Sequence, residues 1–64
     1  MTFQEIKDAS TKEIETYIGA KTDPKLTAMY LGGIVSTLCR TLPERNLSEI
    51  EEWREEMYQK ITNQ

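Results

Sequence analysis

Apolar side chains recur at steps of three and four along nearly the whole chain, the spacing that gathers them on one face of an α-helix. The first such stripe is Phe3, Ile6, Ser10, Ile14, Tyr17 and Ile18. Thr2-Phe3-Gln4-Glu5 opens it in capping-box form, a hydroxyl accepting from the backbone three residues on while the glutamate reaches back. Ser10-Thr11-Lys12-Glu13 repeats that form, but the stripe stays in phase across it, so one continuous helix over residues 3–19 is predicted. Gly19 is the expected stop, because glycine accepts the left-handed conformation that ends helices. Asp23-Pro24 then pairs a good N-cap with a proline at the first helical position, where its missing N–H costs nothing. The pattern runs helical to about residue 42, and Pro43 ends it. A last helix over about 47–62 carries Leu47, Ile50, Trp53, Met57, Tyr58 and Ile61 on one face. Both Asn46…Glu49 and Ser48…Glu51 have capping spacing, leaving its start open by two residues. The linkers around residues 20–22 and 43–45 are short, which favours antiparallel neighbours. The expectation is one small all-α domain over residues 1–64, a compact three-helix bundle or helical hairpin.

The middle helix departs from ordinary amphipathicity. Leu31, Ile34, Val35, Leu38 and Leu42 form a core face, with Ala28, Gly32 and Cys39 at its edge. Its opposite side should be polar, yet Leu26, Met29, Tyr30 and Gly33 stand there beside Lys25, Ser36, Thr37 and Arg40. A three-helix monomer has no second layer to cover that side. Either the outer helices splay around the central one or another chain covers it, since exposed apolar patches commonly mark interaction surfaces. Gly32-Gly33 sharpens the choice, because each glycine inside a helix costs about 1 kcal/mol relative to alanine. Ala28, Gly32 and Ser36, four apart, make a flat seam that another helix can approach closely; the competing reading is a helix break at the pair. A Gly32→Leu change is expected to disrupt such a contact, within the chain or between chains. Self-association through Leu26, Met29, Tyr30, Gly32, Gly33 and Ser36 follows as the expectation, with a homodimer favoured.

Composition reinforces this picture. The chain has 64 residues, no histidine and one cysteine, so no internal disulfide can form and a zinc site has a poor start. A core of this size supplies roughly 3–5 kcal/mol of net stability, and small folds usually add a staple or a partner. Eight basic residues against eleven acidic ones leave a net charge of −3. That balance disfavours direct nucleic-acid binding, which draws most of its affinity from phosphate neutralisation. Neither a bilayer-spanning apolar run nor a secretory leader is visible, so a cytoplasmic location is the default expectation.

Residues 44–56 hold six acids and two bases. Glu49, Glu51, Glu52, Glu55 and Glu56 fall opposite the last helix's apolar stripe as an acidic ridge. The plain reading is a solvated helix face, aided by acids near the helix N-terminus and by a Glu56–Lys60 pair. The functional reading is a surface that steers a basic partner. Arg54 sits within the apolar arc and is expected to pack its stem while pairing with Glu51. Trp53 and Tyr58 are expected in the core, doubling as anchors if a partner covers that face. Cys39 is expected to act as a small apolar residue bordering the core.

Enzyme chemistry finds little support. There is no histidine for proton transfer, no glycine-rich phosphate loop, and no calcium-loop or Cys/His metal spacing. No cofactor or metal is expected. The leading expectation is a small acidic helical protein–protein interaction module that regulates or inhibits a larger macromolecular partner, as virus-encoded inhibitors do by analogy of size and charge. Two alternatives stand beside it. One is an acidic, nucleic-acid-mimicking decoy that blocks a DNA- or RNA-binding protein. The other is an oligomer that sequesters a small ligand between subunits through Tyr30, Arg40 or Arg54. None of these readings calls for membrane contact.

Overall fold

A computed structural model describes residues 2–63. Three helices pack against one another: α1 (Phe3–Gly19), α2 (Pro24–Thr41) and α3 (Leu47–Thr62). A single 3-10 turn, Glu44–Asn46, leads into α3. Among the described residues there are no strands. The body measures 34 × 18 × 15 Å, with its long axis matching the roughly 27 Å of an 18-residue helix plus its ends.

Helix starts follow the local chemistry. Thr2 Oγ1 accepts from the Glu5 amide at 3.2 Å and the Thr2 amide donates to Glu5 Oε1 at 3.2 Å, a complete capping box. Asp23 Oδ1 accepts from the Lys25 amide at 2.9 Å, and Pro24 takes the first helical position of α2. α1 runs unbroken through Ser10, and α2 runs unbroken through Gly32-Gly33. The helix-break reading of the glycine pair is therefore set aside.

Helix ends are less literal. Gly19 is still helical, and the left-handed residue is Lys21, at φ 60°. The Lys21 amide donates to Ile18 O at 3.1 Å and the Thr22 amide to Tyr17 O at 3.0 Å. These two bonds close a Schellman motif, whose left-handed position falls two residues beyond the glycine. Leu42 turns extended at φ −102°, ψ 154°, as the residue before Pro43 must. Neither expected cap opens α3. Asn46 is itself in helical geometry, and its amide donates to Pro43 O at 2.9 Å to close the 3-10 turn that feeds Leu47 into the helix.

The core combines Ile14 of α1, Leu31 and Leu38 of α2, and Ile50, Trp53, Met57 and Ile61 of α3, each at most 2% exposed. Burying side chains of this size contributes about 1.5–3 kcal/mol apiece before entropy is counted. Phe3, Ile6, Ile18, Tyr30, Ile34, Val35 and Leu42 pack around them. α2 lies at the centre, with its most extensive contact against α3. Two polar positions are buried with the core, Ser10 and Thr27.

A hydrogen bond between α3 and α1 locks the buried indole. Trp53 Nε1 donates to Thr11 Oγ1 at 2.9 Å, while the same hydroxyl donates to Lys7 O at 2.7 Å. This pairing fixes the rotation of α3 against α1 and satisfies a donor whose desolvation otherwise costs about 1–3 kcal/mol.

Candidate interaction surface

The side of α2 turned away from the core is uncovered. Leu26 is 59% exposed and Met29 72%, and Gly32, Gly33 and Ser36 are exposed beside them. The outer helices do not splay to enclose α2. A methyl group placed at Gly32 or Gly33 would touch nothing within 4 Å. No helix of this chain approaches the seam, so the within-chain form of the close-packing expectation is corrected. The chain's own packing does not require these glycines, although each weakens the helix by about 1 kcal/mol.

Tyr30 differs from the other five residues of that face. It is half-buried, its ring standing edge-on to Tyr17 with centroids 5.3 Å apart and planes at 87°. Its hydroxyl donates to Glu13 Oε2. Burial first, then the hydrogen bond and the negative charge of Glu13, push the phenol up to about 12. Tyr30 thus ties α2 to α1 and forms one wall of the surface.

An open groove of about 460 Å³ runs between α1 and α2 beside this wall. Ile6 and Ser10 line it from α1; Met29, Tyr30, Gly33, Ile34, Thr37, Leu38 and Thr41 line it from α2. The Thr37 hydroxyl donates to Gly33 O at 3.0 Å and the Thr41 hydroxyl to Thr37 O at 2.8 Å. Both hydroxyls are committed to their own helix, which lowers the polarity of the wall. Reading by residue type files Thr37 under the polar side, places Ile6 and Ser10 in the α1 stripe and passes over Thr41. The available signal was the i, i+4 threonine pair following Gly33, since back-bonded threonines present less polar surface than their type suggests. Of Tyr30, Arg40 and Arg54, Tyr30 lines the groove and the two arginines do not.

The second surface is the acidic ridge. Glu49, Glu51, Glu52, Glu55 and Glu56 are all exposed on α3. Among the described residues none of the five forms an ion pair; Glu55 accepts from Gln59 Nε2 at 3.4 Å. Lys60 instead reaches across to Glu15 of α1 at 3.5 Å, with both side chains about half exposed. An exposed pair of this kind is worth at most about 1 kcal/mol. The expected pairings of Lys60 with Glu56 and of Arg54 with Glu51 are therefore not formed, and Arg54 is exposed.

Two core expectations are also corrected. Tyr58 is 47% exposed, because the face of α3 that meets α1 and α2 is the narrower row Ile50, Trp53, Met57 and Ile61. Cys39 is exposed, lying past the edge of the α2 row that meets α3.

Fold and surface together define a small all-α protein, three helices around one core, with one uncovered apolar helix side and one acidic ridge. Compared with protein-family models, with curated proteins and with solved structures, the chain matches none. Among the described residues no helix is long and apolar enough to cross a membrane.

Proposed function

We propose that this chain is a small acidic helical interaction module that self-associates through the outer side of α2 and modulates a larger macromolecular partner. The observation that carries this reading is the exposure of Leu26 and Met29 on a helix whose other side is already buried in the core. Monomeric proteins rarely leave a contiguous apolar face and an adjoining apolar groove open to water. A second chain covers both and adds stabilisation that a core of this size lacks. Self-association through α2 leaves α3's acidic ridge free on the outside, where its field attracts a basic protein surface.

The ridge supports a second reading, that the partner is a nucleic-acid-binding protein whose basic groove the five glutamates occupy. What favours it is that these acids form no ion pair among the described residues of the chain. Competition separates the two: nucleic acid displaces a decoy from its target, and affinity for that target falls steeply with salt.

Self-association is tested by sedimentation equilibrium over a concentration series. The expected result is a mass rising from 7.4 kDa toward twice that value, with Met29→Glu holding the chain at the lower mass while its helical circular dichroism is unchanged. A wild-type chain that stays at the lower mass throughout contradicts the proposal.

A further inference from the structure

The open row on α2 is symmetric in a way that selects one arrangement of two copies. Its outward positions are Leu26, Met29, Gly33, Thr37 and Arg40, which lie at −7, −4, 0, +4 and +7 from Gly33. Their Cα atoms are about 6 Å and about 10 Å along the helix on either side of that glycine. The two arms differ in character. The N-terminal arm projects, with Met29 72% and Leu26 59% exposed. The C-terminal arm is mixed: Thr37 turns its hydroxyl onto Gly33 O and forms part of the groove wall with Leu38 and Thr41, while Arg40 is exposed.

We propose that a second copy of this chain docks on α2 antiparallel, with the two-fold axis passing through Gly33. The proposal rests on the self-association reading above and specifies its geometry. A two-fold axis there maps Met29 onto Thr37 beside the groove and Leu26 onto Arg40. Met29 of each copy enters the groove of the other beside Thr37, and Leu26 lies under the arginine stem of Arg40. Closest approach of the two helices falls at Gly33, where there is no side chain and open space on the outer side. This isologous contact closes on itself, so it yields a dimer and not a filament.

Charge agrees with this direction. Arg40 is exposed in the last turn of α2, and its Nε donates to Ser36 O at 3.4 Å. Asp23 caps the opposite end of α2 and is exposed. Antiparallel packing brings the Arg40 guanidinium to the end of the second copy that carries Asp23 and Lys25, whose charges cancel. Parallel packing sets Arg40 against Arg40 and Lys25 against Lys25, and it pairs projection with projection at Met29.

The test uses the full chain with Cys39→Ser, so that only introduced thiols react. Met29→Cys and Thr37→Cys chains are mixed, oxidised mildly with diamide and resolved by intact mass; Leu26→Cys with Arg40→Cys gives a second pair. The antiparallel arrangement yields several-fold more of the mixed disulfide than of either homodimer in both pairs. An excess of homodimers, each variant cross-linked to its own kind, overturns the proposed direction while leaving self-association in place. Dimeric variants that cross-link in neither pair overturn the use of this side of α2. A monomeric wild-type chain removes the underlying reading as well. Because Met29→Cys itself trims the contact, isotope-filtered NOE spectra on mixed labelled and unlabelled wild-type chain supply an independent readout. The expected signal is between the Met29 and Thr37 methyl groups of different copies, and its absence in a dimeric sample contradicts the proposal.

Discussion

The two long sides of α2 are built from similar residue types and meet opposite fates. On the inner side Thr27, Leu31 and Leu38 are buried against α3 and α1, with Trp53, Ile50, Met57 and Ile61 closing over them. On the outer side Leu26 and Met29 stand in water, flanked by two glycines where an added methyl would meet nothing within 4 Å. The difference lies in neighbours and not in hydropathy, since among the described residues two helices flank α2 and both pack on its inner side. Apolar content thus says that a helix side needs covering, while the packing of α1 and α3 says which side they cover. Inner changes should therefore act on folding and outer ones on association.

Trp53→Ala gives the largest inner effect. Emptying that site should cost about 3–5 kcal/mol, comparable to the roughly 3–5 kcal/mol that one small core supplies. Loss of a cooperative urea transition is the expected observation; a transition with an unchanged midpoint would break the inner half of the comparison. Next is Thr11→Val, which keeps the shape but strands the buried indole N–H, at an expected cost of about 1–3 kcal/mol. A shift of the urea midpoint measures it, and an unshifted midpoint means that Trp53 finds another acceptor.

Gly33→Ala sharpens the contrast from the outer side. With nothing within 4 Å of the added methyl, the fold should gain about 0.5–1 kcal/mol from helix propensity alone. Association should weaken at the same time, read by sedimentation. A variant that gains stability and associates as before separates the glycine from the interface.

The smallest effect concerns the wall between the two sides. Tyr30 holds its proton to about 12, above the roughly 10 of a tyrosine in an unfolded chain. A raised folded-state pKa contributes stability that is fully present below about pH 10 and is lost as pH climbs toward 12. The difference in unfolding free energy between wild type and Tyr30→Phe should therefore narrow across that interval. Ultraviolet absorbance of the native chain should show one of its three tyrosines ionising late.

Much of this architecture was readable from capping and periodicity. Thr2, Asp23 and Pro24 mark their helix starts by chemistry that acts within four residues, and the stripes of α1 and α2 point inward as their spacing demands. What escaped the sequence depends on contacts between distant segments. Pro43 sets up a 3-10 turn that overrides the capping spacing of Asn46 and Ser48. Lys21, and not Gly19, takes the left-handed position because Gly19 is still helical and Ala20 is the cap. Tyr58 and Cys39 lie at stripe edges, where a few degrees of helix rotation decide burial; the Trp53–Thr11 bond sets that rotation for α3. Of the proposed association face, Leu26, Met29 and the glycines were legible as an unpaired side of a helix. The groove was not, because Ile6 and Ser10 reach it from a different helix, well separated along the chain.

The most direct measurement is a concentration series of ¹⁵N-resolved NMR spectra on the wild-type chain. Outward association through α2 predicts progressive shifts for Met29, Gly33 and Thr37, with the core amides of Leu31 and Leu38 and the ridge amides of Glu51 and Glu55 nearly still. Spectra that do not change with concentration, or shifts concentrated on α3, would contradict it.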